Sequence, residues 1–199
     1  MNDTNATPTV HASVPTRAGL ASITDATPDD IEAIVRFWHH SGDAFLDEVG
    51  IDRARLGGPE DTRARYRAAV RTGDPGQAHL AFAIRLDGRT IGYTLLNRTG
   101  PEVNHSHWHI IEPGLRGAGI SSALYPYRIR TYFALTPIER LIHQTRTRNV
   151  GVNRMLDKWV PVAETRHVED PDGVALPGEF HIRYVRRDDV AKVLAKALP

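Results

Sequence analysis

Residues 104–124 read as a strand, a glycine-rich turn and a helix start in immediate succession, and no other stretch restricts the fold as tightly. Asn104 to Ile111 alternates like a strand, and Pro113-Gly-Leu-Arg-Gly-Ala-Gly-Ile-Ser-Ser-Ala-Leu124 leads from it into a helical pattern. Such a turn is an anion site, because its N–H groups point outward and the helix dipole adds about half a positive charge. A Cβ at Gly117 or Gly119 would hold a phosphate away from those donors. Arg116 adds a permanent cation with several N–H donors. The expected ligand carries a phosphate or pyrophosphate.

Two phosphate cradles fit poorly. The P-loop needs a Gly-Lys-Ser/Thr ending, and the first lysine of the chain is Lys158. The dinucleotide fingerprint needs a third glycine where Ser122 stands, in an early βαβ unit. Arg116-x-x-Gly119-x-Ser121, preceded by Pro113, instead resembles the Arg/Gln-x-x-Gly-x-Gly/Ala coenzyme A pyrophosphate loop of the GNAT superfamily of N-acetyltransferases. Ser121 departs from the usual last residue but is still small. By this resemblance Arg116, Gly117, Ala118, Gly119, Ile120 and Ser121 hold the pyrophosphate of acetyl-CoA, the co-substrate. Without the family, a helix entry that uses glycine only to turn stays open.

The order of elements agrees with the same family. Leu20 to Ala26 reads as a strand, and Thr27-Pro28-Asp29-Asp30 supplies a cap, an N1 proline and acidic first-turn residues for a helix with Ile31, Ile34, Val35 and Trp38 on one face. Pro59 to Thr72 reads as a second helix. Ala78 to Leu86 and Thr90 to Leu96 form a hairpin around Asp87-Gly88-Arg89. Gly117 to about Leu135 is a third helix, in which Pro126 should kink or break the chain. Arg140 to Thr145, Asn149 to Trp159, Val160 to His167 and Gly178 to Arg186 then read as strand, helix, strand and strand. The resemblance implies an α/β (α+β) GNAT fold, a mixed, mostly antiparallel sheet of roughly six to seven strands flanked by about four helices. Residues 1–19 are expected as a flexible lead, 20–187 as the acyltransferase domain and 188–199 as a C-terminal helix.

Asn149-Val-Gly-Val-Asn-Arg-Met-Leu-Asp-Lys-Trp-Val-Pro-Val162 is similar to the family's Asn-x-x-Ala-x-x-x-Tyr-x-x-x-Gly-Phe segment. The resemblance gives Asn149 a hydrogen bond to the pantetheine arm; read alone, Asn149 is a helix N-cap. Leu156 stands where many members carry the tyrosine that protonates the leaving thiolate, which puts the usual general acid in doubt.

The histidines of the fourth expected strand bear on chemistry. His105, His107 and His109 alternate with Ser106, Trp108 and Ile110 and share one face. His105-Ser-His107 is similar to the paired histidines of serotonin (arylalkylamine) N-acetyltransferases, which relay the amine proton through water; His109 has no counterpart. An alkylammonium has a pKa near 10.4, so freeing the amine at neutral pH costs roughly 4–5 kcal/mol. A histidine can take that proton and pass it on. Family enzymes also aim a backbone N–H beside a splay in this strand at the thioester oxygen, here around Ile110 or Ile111. For the general acid, Tyr125, Tyr127 and Tyr132 lie on the following helix, and nothing in the sequence chooses between Tyr125 and Tyr127. His-x-His is also zinc geometry if His143, His181 or Glu179 supplied a third ligand. Single histidines are equally compatible with a structural role.

Composition sets outer limits. The 199 residues carry a net charge of +1, which gives no electrostatic case for nucleic acid or an anionic membrane. The absence of cysteine removes thiol nucleophiles, disulfides and cysteine-ligated zinc. No signal peptide or membrane span is read, and a cytoplasmic location is expected. The expected acceptor is a small-molecule amine, and a homodimer is left open. Ser41 to Gly58, with Asp43, Phe45, Asp47 and Glu48, would suit a cation with an apolar portion, or be a solvated loop. An acyl-CoA sensing module without turnover and a histidine-cluster metal enzyme are the alternatives.

Overall fold

A computed structural model describes residues 7–74, 76–98, 104–171 and 173–197. Strands β1 (Val10–Thr16), β2 (Gly19–Asp25), β3 (His79–Leu86), β4 (Arg89–Arg98), β5 (Asn104–Ile110), β6 (Arg140–Arg146), β7 (Glu164–Val168) and β8 (Gly178–Arg186) form one sheet. Their order is β1-β2-β3-β4-β5-β6-β8-β7, and only the β5–β6 pair is parallel. The fold is thus the expected mixed, mostly antiparallel one, with eight strands rather than six or seven. The extra strand comes from the segment read as a flexible lead. Val10–Thr16 pairs along β2 as an edge strand, its Val-x-Ala-x-Val alternation hidden in a low-complexity composition. Residues 1–6 and 198–199, parts of the expected lead and terminal helix, lie outside the described residues.

The helices are α1 (Pro28–His40), α2 (Asp43–Val49), α3 (Arg53–Leu56), α4 (Pro59–Ala68), α5 (Ile120–Leu135), α6 (Val150–Leu156) and α7 (Val190–Ala195). Helix α1 starts where its cap dictates. The Asp30 N–H donates to Thr27 Oγ1 at 3.3 Å, and the Thr27 N–H donates back to Asp30 at 2.8 Å. Asp30 also accepts from Arg85 at 2.8 Å, which ties the helix start to β3. Short helices α2 and α3 fold the connection expected as an open loop.

Helices cover both faces of the sheet. Ile31, Ile34, Val35 and Trp38 of α1, with Leu46, Leu56 and Tyr66, pack on Ala81, Tyr93 and Leu95. Ile120, Leu124 and Ile129 of α5, with Leu156 and Val193, pack on Phe82, Ile84, Ile91 and Leu96. Strand alternation makes this division, since Tyr93 and Leu95 face one layer and Leu96 the other. Helix α5 runs without a break through Pro126. A mid-helix proline costs about 3 kcal/mol or more, and here it is offset by the burial of Ile120, Leu124, Tyr125, Ile129, Tyr132 and Phe133 on the same helix.

Candidate active site

Parallel strands need a crossover, and α5 provides it between β5 and β6. The two strands meet at one bridge, His105 to Ile142, and then part. The gap opens a cavity of about 540 Å³ that reaches from the α1 side of the sheet through to the α5 side. Its walls include His105, His107 and His109 from β5, His143 and Arg146 from β6, Trp38 and Tyr66 from α1 and α4, Arg128 from α5, and Leu156 beside Asn149.

The glycine-rich loop follows β5 directly, and none of residues 113–121 is among the described residues that line the cavity. Pro113–Leu115 makes a 3-10 turn, and Gly117 and Gly119 then adopt left-handed φ of +79° and +81°. An added Cβ at either would meet nothing within 4 Å, so the space above the loop is open. Gly119 is the N-cap of α5 and supplies no side chain to satisfy its first-turn N–H groups. Ala118 packs toward the core and Ile120 is buried, which fixes the turn from below. Ser121 is half-buried in the first turn. Arg116 lies over the Phe45 ring at 4.5 Å, and its Nε donates to the Ile110 carbonyl at 3.3 Å. Phe45 of α2 therefore orients this arginine, a link that sequence spacing does not reveal.

The β5 amides divide by alternation. The Ile111 N–H donates to the Ile91 carbonyl at 2.9 Å and is committed to the sheet. Gly92 opposes Ile110, so the Ile110 and Trp108 amides point away from β4 into the gap. Of the two expected backbone donors, geometry leaves Ile110. Gly92 permits the close pairing here, since a Cβ would lie 2.5 Å from the His109 carbonyl oxygen.

The three histidines share the α1 face as expected. The His105 and His107 rings are near parallel with centroids 6.3 Å apart. His109 is caged by Trp38 at 4.7 Å and Tyr93 at 5.5 Å. His107 is open to the cavity but surrounded by its walls, and this desolvation, with His105 and Arg128 nearby, holds its pKa down to about 4. Burial, with His107 and Arg116, holds His109 down to about 3. His143 is pushed down chiefly by burial too. All three are neutral at pH 7 and can accept a proton, but none can store it. Among the described residues no three His, Asp or Glu side chains are placed to share a metal ion.

The tyrosine candidates do not line the cavity. Tyr125 is fully buried, its ring stacked on Trp159 at 5.6 Å and its hydroxyl hydrogen-bonded to His143 Nε2 at 2.9 Å. Burial pushes its pKa up. Tyr127 points elsewhere on α5, where Arg130 covers its ring at 5.3 Å. The cavity wall instead carries Tyr66 and Tyr93, which share Trp38 Nε1 as donor at 3.3 and 2.9 Å. Leu156 fills the place of the missing tyrosine with an apolar, buried side chain. Asn149 lines the cavity and also caps α6, its Oδ1 accepting from the Val152 N–H at 3.3 Å. The helix-cap reading of Asn149 is thus what the structure shows.

The acidic residues of the α1–α4 connection do not form an acceptor pocket. Asp43 pairs with Arg53 at 2.5 Å and Asp47 with Arg148 at 2.8 Å, both outside the cavity wall. That segment contributes Val49, Ile51, Arg55 and Leu56 to the wall. No described helix is long and apolar enough to cross a membrane.

No protein-family model matches the chain, and no curated protein matches its sequence. Solved structures do match the fold. Mycobacterium smegmatis RimJ, in complex with CoA-disulfide, superposes with a TM-score of 0.69 at 17% identity, covering 94% of this chain and 93% of its own. RimL, a ribosomal L7/L12 alpha-N-protein acetyltransferase in complex with coenzyme A, gives 0.70 at 14% identity, covering 90% and 99%. Aminoglycoside acetyltransferase AAC(6')-Ib in complex with coenzyme A gives 0.64 at 14% identity, covering 86% and 98%. The chain has the fold of these acetyltransferases.

Proposed function

We propose that the protein is an acyl-CoA-dependent N-acetyltransferase that moves an acetyl or short acyl group from acyl-CoA to an amine of a small molecule by direct transfer. One observation carries this reading: an uncapped helix N-terminus with two open, left-handed glycines follows directly on β5, the strand that parts from β6 to open the cavity. The fold shared with coenzyme A-bound acetyltransferases supports it. Those neighbours include enzymes named for a protein N-terminus and for an aminoglycoside, so the fold alone leaves the acceptor class wide.

In this reading Arg116 and residues 117–121 hold the pyrophosphate, through backbone N–H groups aimed at open space. Asn149 and the Ile110 amide hold the pantetheine arm or the thioester oxygen. Bound acyl-CoA supplies an electrophilic thioester carbonyl. The acceptor amine enters from the α1 face, where His107 takes its proton and passes it on through His105 or water. A base held near pKa 4 acts as a conduit rather than a reservoir. Tyr125 reaches the cavity wall through its hydrogen bond to His143, while Tyr66 and Tyr93 stand on that wall themselves.

Release of free coenzyme A from acetyl-CoA, measured with a panel of amines, tests the proposal. Acceptor-dependent release is expected. Binding of acetyl-CoA without acceptor-dependent release would instead support a sensing module, which the apolar Leu156 would suit.

A further inference from the structure

Arg128 presents a problem that the acetyl-transfer reading leaves unsolved. It lies in the middle of α5 with 3% of its surface exposed, and it lines the cavity. Its guanidinium carbon sits 3.8 Å from the Trp108 ring centre and 5.1 Å from that of Tyr125. Its Nε is fully enclosed and has no hydrogen-bond acceptor. The ionisable groups acting on it are the Tyr132 and Tyr125 hydroxyls, not a carboxylate.

Desolvating a guanidinium without a counter-ion costs more than cation–π contact returns, and a methionine would fill the same space without the charge. The rest of the wall repeats the imbalance. Arg146 also lines the cavity with Nε and Nη1 enclosed and unpartnered. Arg65 stands at the same cavity, as does Arg55, which pairs with Asp170 and Asp52, and no Asp or Glu is among the cavity's described lining residues. The nearby His107 and His143 are held neutral, so they can donate a hydrogen bond to an anion without competing for it.

We infer that Arg128 receives a carboxylate of a substrate that enters the cleft. A carboxylate matches the planar guanidinium fork and supplies the missing charge. The inference rests on the acetyl-transfer reading for the site. Two sources share this chemistry: an acceptor that carries a carboxylate beside its amine, and an acyl group that ends in one, as in succinyl-CoA.

The test compares kcat/KM in two arms on the full chain. One arm pairs amino acids with their carboxamides as acceptors of acetyl-CoA. The other pairs succinyl-CoA with acetyl-CoA on one acceptor. We expect a preference of at least about tenfold for the carboxylate in one arm, on the scale of a charged hydrogen bond. R128Q should erase that preference by lowering kcat/KM for the charged partner at least about tenfold more than for the neutral one, and R128K should reduce it. No preference in either arm of the wild type overturns the inference, without recourse to any variant. Equal loss for charged and neutral partners in a folded R128Q overturns it as well. If acetyl-CoA still stabilises the wild type, such failures leave the acetyl-transfer reading standing.

Discussion

At the scale of the residue, the histidines of β5 show how environment divides identical side chains. His109 lines the cavity too, but its ring is packed between Trp38 and Tyr93. His107 opens to the cavity and can exchange a proton. Because His107 stays neutral above about pH 4, its own titration cannot produce an acid limb near pH 6.5. The loss of activity at low pH should follow the acceptor's ammonium instead. Replacing both His105 and His107 with Gln should lower turnover most near neutral pH, by about 10²-fold, and activity should recover as pH approaches the amine's pKa. A weakly basic acceptor such as a hydrazine should lose far less. pH–rate profiles for both acceptor types check this, and equal losses throughout would assign the pair a structural role.

At the scale of the element, the loop and α5 act as a unit. A Cβ at Gly119 meets nothing within 4 Å, but a valine there must hold φ near +81°, at a cost of about 1–2 kcal/mol. The G119V protein should therefore fold with a modest loss of stability while its side chain occupies the space above the N–H groups. Calorimetric titration should show acetyl-CoA binding weakened at least about tenfold. This element was legible in the sequence because glycine spacing, a preceding strand and a following helix are local signals. The cap of α1 was legible for the same reason, with Thr27 and Asp30 three residues apart. What was not legible depends on tertiary contact. Asp43 and Asp47 look like a cation pocket until the fold hands each an arginine. Tyr125 and Tyr127 are equal on paper, and only the packing of α5 buries one against His143 and turns the other aside. Arg128 gave no signal that set it apart from Arg130 two residues on, and its meaning appears only once the cavity exists.

At the scale of the whole molecule, a cleft through the sheet holds basic groups in a desolvated place. His107, His109 and His143 all have folded pKa values below the ordinary 6.5. The unfolded chain therefore binds more protons between about pH 6.5 and 3, so stability is complete above pH 6.5 and falls as pH drops through that window. Thermal unfolding from pH 7.5 to 4 should show a steep decline, and H109Q, if folded, should flatten it; an unchanged slope would mean that His109 is better solvated than its cage implies. The same architecture makes the central claim directly measurable, because a ligand that binds only the folded state raises its melting temperature. Thermal unfolding of the wild type with increasing acetyl-CoA is that measurement. The account predicts a saturable upward shift that shrinks in R116A and G119V. The absence of any shift at millimolar acetyl-CoA, or an equal shift in all three proteins, would contradict it.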